Sequence, residues 1–281
     1  MRIVKSPKKM QEICINLKNQ GKVISFVPTM GYLHEGHLSL MRIAKKKSDI
    51  LVVSIFVNPT QFGPKEDFKR YPRDLKRDKR LLKEIGCDFI FMPDIKDMYP
   101  KMYDTYVEVE DLTKILEGKS RPEHFKGVTT VVAKLFNIIQ PDIAVFGQKD
   151  FQQAVVVKKM VKDLNLPVKI IIAPTVREKS GLALSSRNEY LSSEEKKQVT
   201  ALYRSLKLSE KMIASGERDS RKIISEMRKL IQKKPKAKID YISINDSESL
   251  KPLNKLKGNV VISLAVLIGK TRLIDNIKIR V

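Results

Sequence analysis

A chain of 281 residues with 42% apolar side chains is long enough for one large or two ordinary buried cores and too apolar for a disordered polymer. No stretch approaches the roughly 20 apolar residues that span a bilayer, and Met1-Arg2-Ile3-Val4-Lys5 leads into no apolar signal core, so neither a membrane partner nor secretion is expected. The net charge of +23 could mark a nucleic-acid binder, but its lysines are scattered, acids are interspersed, and few aromatics flank the basic runs. The charge reads as a solvated surface with no nucleic-acid partner, and one whose field attracts small polyanions. Cys14 and Cys87 form no metal-type pair and read as reduced thiols of a cytoplasmic protein.

Taken in chain order, residues 23–27 predict a strand and 36–47 a helix with Leu38, Leu40, Met41 and Ile43 inward. Residues 50–57 are continuously apolar, as a central parallel strand covered on both faces must be. A helix is predicted at 74–85, a strand at 87–92, a helix at 128–139, a strand at 143–146, a helix at 150–164 and a strand at 168–172. This alternation predicts an α/β fold with a doubly wound, Rossmann-like parallel sheet, whose ligands sit beyond the carboxyl ends of the strands. After a loop rich in Ser, Gly and Pro at 174–188 come two lysine-rich helices, 193–215 and 220–233, and three strands, 239–244, 260–267 and 273–281. They predict a smaller C-terminal α+β domain, with the division placed at 1–177 and 178–281.

Four segments that follow strands carry chemistry. The first is Pro28-Thr29-Met30-Gly31-Tyr32-Leu33-His34-Glu35-Gly36-His37, where a strand ends and a helix begins. A helix N-terminus offers backbone N–H groups and a positive dipole end to phosphates. Gly36 lets a nucleotide approach the backbone, and two imidazoles can donate to phosphate oxygens as charge builds. His-x-Gly-His at such a junction resembles the class I nucleotidyl transferases. A zinc site made from His34, His37 and His124, the only three histidines, is disfavoured because His-Glu-x-x-His is missing.

The second segment, Asn58-Pro59-Thr60-Gln61-Phe62, places uncharged amides after a strand, where they suit a substrate bearing hydroxyl and carboxylate groups; alone, Asn-Pro also fits a plain turn. In the third, Gly147-Gln148-Lys149-Asp150, glycine permits close approach, Lys149 is a cation for phosphates and Asp150 is placed as a helix cap. The fourth, Leu184-Ser185-Ser186-Arg187-Asn188, can bring two hydroxyls and a guanidinium to a triphosphate, or be a linker.

Together with Tyr71-Pro72-Arg73, Leu116-Glu117-Gly118, Arg121-Pro122-x-His124-Phe125-x-Gly127-Val128 and Arg187-Asn188-x-Tyr190-Leu191, these blocks resemble the pantothenate synthetase family over nearly the whole chain. The resemblance implies an ATP- and Mg2+-dependent ligase. In that family pantoate attacks the α-phosphate, pyrophosphate leaves, and β-alanine converts the pantoyl adenylate to pantothenate and AMP. It further implies catalytic roles for His37, His34 and Lys149. The ATP site it implies contains Met30, Gly31, Tyr32, Leu33, His34, Glu35, Gly36, His37, Gly147, Gln148, Lys149, Asp150, Val176, Leu184, Ser185, Ser186 and Arg187. It assigns Gln61 and Gln153 to pantoate, Gln61 also to β-alanine, and implies a homodimer with a C-terminal lid.

This sequence departs from the family pattern at Leu184, where methionine is usual, and at Asp74 and Arg77 after Tyr-Pro-Arg. Asp78 remains an acid either near the magnesium ion or on a solvated helix face, with no protein ligand to the metal assigned. A different adenylyl transferase of the superfamily needs a basic pocket where Gln61 and Gln153 stand. An RNA-binding relative of the synthetases predicts salt-sensitive tRNA binding.

Overall fold

The computed structural model describes residues 1–64 and 66–281. It begins with a short strand β1 (Arg2–Val4), helix α1 (Pro7–Asn19), strand β2 (Ile24–Thr29), helix α2 (Glu35–Lys45) and strand β3 (Ile50–Ile55). There follow α3 (Leu75–Ile85), β4 (Phe89–Phe91), the single turns α4 (Ile95–Met98) and α5 (Glu117–Ser120), then α6 (His124–Ile139), β5 (Ile143–Gly147), α7 (Phe151–Asp163) and β6 (Lys169–Ala173). The C-terminal portion holds α8 (Ser193–Ala214), α9 (Ser220–Gln232), β7 (Ala237–Asp246), β8 (Asn259–Ile268) and β9 (Thr271–Arg280).

Contacts divide the chain into two units: Met1–Gly147 with Gln152–Pro174, and Gln148–Phe151 with Thr175–Val281. In the first, six strands run in the order β1-β4-β3-β2-β5-β6, and every pair is parallel. The chain moves from β2 through β3 to β4 on one side, then restarts beside β2 with β5 and β6 on the other. The strand order therefore reverses between β2 and β5, and the crevice beyond their carboxyl ends is the place this architecture reserves for ligands.

The sheet is apolar on both faces because both are covered. Successive strand residues point to opposite sides. Phe26, Val52, Phe91, Ala144 and Phe146 join one core with Met10 and Cys14 of α1, Phe136 of α6 and Met160 of α7. Val27, Leu51, Val53, Ile90 and Val145 join a second core with Leu38 and Met41 of α2 and Leu82 of α3. This explains why β3 reads as an unbroken apolar run. Both cysteines are buried in these cores, and burial pushes each thiol up to about 12.

The second unit has its own core, in which α8 and α9 pack on the antiparallel sheet β7-β8-β9 through Leu202, Leu206, Ile223, Met227, Ile262 and Leu264. β8 and β9 pair from Asn259↔Arg280 to Ile268↔Thr271, leaving only Gly269 and Lys270 in the turn, with Gly269 at φ 58°. Ser192 and Glu195 cap α8 reciprocally. No helix among the described residues is long and apolar enough to cross a membrane.

The predicted elements are all present within a few residues, with two adjustments, and β1, α1 and the single turns α4 and α5 are additional to them. α6 starts at His124, four residues before the predicted 128. The strand predicted at 87–92 shortens to Phe89–Phe91, although the N–H groups of Asp88 and Met92 at its two ends still bond the Leu51 and Val4 carbonyls.

Candidate active site

Residues 30–37 leave the carboxyl end of β2 and enter α2. Thr29 Oγ1 donates to the Ser54 carbonyl at 2.6 Å and accepts the Gly31 N–H at 3.2 Å, which ties the loop to β3. Gly31 adopts φ 81°, and a Cβ there would come within 3.1 Å of both Asp78 and Ile55, so glycine is required. Tyr32 follows at φ 49°, a left-handed conformation costly for a tyrosine.

Asp78 holds that conformation in place. Its carboxylate accepts the N–H of Tyr32 at 2.9 Å and of Leu33 at 2.7 Å, and the residue is only 1% exposed. The neighbouring Arg77 guanidinium lies 5.2 Å from the Tyr32 ring centroid. The reading of Asp78 as an acid on a solvated helix face is thus corrected: it is a buried anchor for the loop. Burial pushes its carboxyl pKa upward, against the two backbone hydrogen bonds and the Arg77 charge. Leu33 itself is fully buried, so its place in a nucleotide site rests on its backbone.

His34 occupies the N-cap of α2, with Glu35, Gly36 and His37 in the first turn, where the His37 N–H bonds the His34 carbonyl at 2.8 Å and the positive end of the helix dipole lies. The His34 N–H donates to Nδ1 of His37 at 3.3 Å, and the two rings sit 4.1 Å apart. Because Nδ1 of His37 accepts, the ring proton lies on Nε2, which is the donor nitrogen of this side chain. Glu35 pairs with Arg42 one helical face along, and that hydrogen bond holds its carboxyl below the ordinary value.

The amide pair after β3 separates into two roles. Asn58, 1% exposed, donates to the Gly127 carbonyl and to Gln61 Oε1, each at 3.1 Å, and accepts from Tyr99 Oη at 2.8 Å and Thr60 Oγ1 at 3.0 Å. It is a structural residue. Gln61 is half-buried, its Oε1 held by Asn58 and its Nε2 3.4 Å from Met30 Sδ, which joins it to the loop before α2.

The backbone carbonyl of Gln61 is clamped by a group whose motif stands out in the sequence without a role attached. His124 Nδ1 donates to it at 2.8 Å and Arg121 Nη2 at 3.3 Å, while Arg121 Nη1 lies 3.1 Å from His124 Nε2 and the guanidinium pairs with Glu66. Burial first and the Arg121 charge second lower the His124 pKa to about 4, so the ring is neutral at pH 7 and can accept from Arg121 while donating to Gln61. Gly127 is needed because a Cβ would lie 2.3 Å from the Thr60 carbonyl oxygen. The Arg-Pro-x-His-Phe-x-Gly block is therefore the seat of Gln61, and its signal was glycine and charge spacing without an obvious ligand role.

Gln153 lies half-buried on α7. Its neighbour Gln152 is structural, bonding the Glu117 N–H at 2.9 Å and the Leu112 and Ile115 carbonyls at 2.7 and 2.8 Å. Gly147 ends β5, and no described atom lies within 4 Å of a Cβ built on it, so packing alone does not demand glycine there.

In the second unit, Lys149 and Ser185 line one small crevice with Asn188, Tyr203 and Asp275. Lys149 Nζ is 3.9 Å from Asp150 Oδ1, and Asp150 directly precedes α7. Val176 accepts the Leu184 N–H at 3.0 Å, Ser185 Oγ accepts the Arg187 N–H at 3.3 Å, and Ser186 is buried. Gln148, Lys149, Asp150, Val176, Leu184, Ser185, Ser186 and Arg187 are thus grouped in this unit, and Met30, Gly31, Tyr32, Leu33, His34, Glu35, Gly36, His37, Gln61, Gly147 and Gln153 in the first.

A doubly wound parallel sheet, with two histidines at the helix entrance beyond its switch-point strand, is an α/β architecture suited to binding phosphates at that helix. The chain matches the Pantoate-beta-alanine ligase family over residues 2–278 and belongs to that family of ligases. Pantothenate synthetase of Moorella thermoacetica is 56% identical over 264 residues, 94% of this chain and 93% of its own. That of Caldicellulosiruptor bescii is 55% identical over 277 residues, 99% and 98% of the two chains. The crystal structure of pantothenate synthetase from Thermus thermophilus superposes with a TM-score of 0.95 at 43% identity, covering 100% of both chains. Pantoate-beta-alanine ligase from Francisella tularensis, complexed with beta-gamma ATP and beta-alanine, gives 0.80 at 38% identity, covering 99% of this chain and 97% of its own.

Proposed function

We propose that this chain condenses pantoate with β-alanine at the cost of ATP, through a pantoyl adenylate, in the cytoplasm and as a homodimer. The observation that carries this reading is the histidine pair at the N-terminus of α2, with the His34 N–H bonded to Nδ1 of His37 so that the His37 ring proton is on Nε2. In the first step a pantoate carboxylate oxygen attacks the α-phosphorus, the bond to the bridging oxygen breaks, and pyrophosphate leaves. Charge accumulates on phosphate oxygens, which is what an N–H donor and a helix N-terminus stabilise. In the second, the neutral amine of β-alanine attacks the acyl carbon and AMP leaves. Water must be kept from the mixed anhydride meanwhile.

His34, His37 and Lys149 are assigned to the phosphates, together with Ser185, Ser186 and Arg187. Met30, Gly31, Tyr32, Leu33, Glu35, Gly36, Gly147, Gln148, Asp150, Val176 and Leu184 are assigned to the rest of the nucleotide. Gln61 and Gln153 are assigned to pantoate, and Gln61 also to the β-alanine position. Magnesium fits this scheme as part of the substrate MgATP. Phosphate oxygens and water would supply its ligands there, as is common for this ion.

Gln61→Ala tests the pantoate assignment. It leaves the backbone clamp of His124 and Arg121 intact while removing the amide. The KM for pantoate is expected to rise about 10- to 100-fold, since one or two hydrogen bonds to a charged group are lost, with ATP binding nearly unchanged. Equal losses for both substrates would place Gln61 elsewhere.

A further inference from the structure

Strand β9 carries two adjacent polar residues deep in the second unit, Asp275 at 4% exposure and Asn276 at 3%. Such groups are costly to bury unless fully bonded, and here Asp275 bonds Arg177 while Asn276 bonds Gln148 and Lys149 of a proposed nucleotide segment. Asp275 receives both arms of the Arg177 guanidinium, at 2.7 and 2.8 Å. That guanidinium lies 4.4 Å from the Tyr203 ring centroid and donates to the Gly181 carbonyl at 3.0 Å. Asp275 Oδ1 also accepts the Asn276 N–H at 2.8 Å, which fixes the next side chain.

Asn276 then uses both amide hydrogens on one target. Its Nδ2 donates to the Gln148 carbonyl at 3.0 Å and the Lys149 carbonyl at 2.9 Å, and its Oδ1 faces Gln148 Nε2 at 3.4 Å. This bracket accounts for a feature of the chain path. Residues Gln148–Asp150 lie in sequence between β5 and α7, yet they and Phe151, which opens α7, belong with Thr175–Val281. We propose that Asn276, braced by Asp275 and Arg177, is a positioning residue for adenylation, holding the backbone from which Lys149 reaches the nucleotide phosphates. The proposal rests on the assignment of Lys149 to those phosphates. Asn276 touches no reacting atom and acts only through Gln148 and Lys149.

A double-mutant cycle tests it, read by single-turnover pyrophosphate release with ATP, magnesium and pantoate on the full chain. Asn276→Ala in the otherwise unchanged protein is expected to slow release at least tenfold, with the KM for pantoate unmoved. In a Lys149→Ala background the same substitution is expected to slow it less than twofold further. Asn276→Asp keeps the size but turns oxygens toward two carbonyls, and is expected to be at least as slow as the alanine variant. Full activity of Asn276→Ala, or losses that multiply in full across the cycle, would overturn the proposal while leaving Lys149 in place. A Lys149→Ala variant that releases pyrophosphate normally would instead sink the Lys149 assignment, and the bracket's role with it. Should Asn276→Ala not fold, as judged by circular dichroism, Asn276→Ser keeps a buried donor and enters the same cycle, where coupling to Lys149 supports the proposal and full multiplication overturns it.

Discussion

His37→Ala is expected to slow pantoate-dependent pyrophosphate release by about 10²–10³-fold, while its thermal unfolding midpoint stays within a few degrees of the parent. The rate loss follows from geometry. His34 N–H fills the Nδ1 lone pair of His37, so the one remaining ring proton is on Nε2, at the entrance of a helix already favourable to anions. Removing a donor aimed at charge that develops in the transition state costs roughly 3–4 kcal/mol of barrier. The fold survives because His37 is only half-buried and the interior of α2 is held by Leu38, Leu40, Met41 and Ala44. A rate within threefold of the parent would show that His37 is not the donor.

Asp78→Asn is expected to slow the same step about 10²-fold although Asp78 belongs to α3 and is sealed beneath the loop. Two backbone N–H groups need two acceptor oxygens, and asparagine offers one, with its own NH₂ opposing the other donor. Tyr32 then loses part of what holds it at φ 49°, and the loop leading to His34 shifts. A misplacement on the order of 1 Å costs on the order of 10²-fold in rate. Global stability is expected to change far less than the rate. The carboxyl pKa is raised by burial, so the folded state holds a proton more tightly than the unfolded one. Ionisation of Asp78 therefore subtracts stability as pH rises above the ordinary carboxylate pKa, and the neutral amide removes that penalty while losing a hydrogen bond worth roughly 1.5–3 kcal/mol. Single-turnover rates and thermal melts at pH 7 check both parts. A variant with parental adenylation would show that the loop keeps its shape without this anchor.

Much of the architecture was legible because period and length are properties of local sequence. β3 announced itself as buried on both faces, and α8 and α9 by their amphipathic spacing. α1 carries a local signal too: Ser6 caps it, Pro7 opens it, and Met10, Ile13, Cys14 and Leu17 recur at helical intervals. β1, three residues at the sheet edge, has too little pattern to stand out from any short apolar run.

At the site, the histidine pair could be read because its two members are three residues apart on one helix turn. What could not be read were partnerships across long stretches of chain. Asp78 lies 46 residues from Tyr32, His124 63 from Gln61, and Asn276 127 from Lys149. From sequence alone Asp78 is one acid among many, and Asn58 is as good a substrate ligand as Gln61. Only packing shows that Asn58 is consumed by Tyr99, Thr60, Gly127 and Gln61 itself.

The most direct measurement is exchange of labelled pyrophosphate into ATP, with magnesium, by the purified chain. If pantoate's carboxylate attacks the α-phosphorus before β-alanine is engaged, exchange requires pantoate and proceeds without β-alanine, and AMP accumulates only once the amine is added. Exchange that ignores pantoate, or that begins only with β-alanine present, contradicts the account.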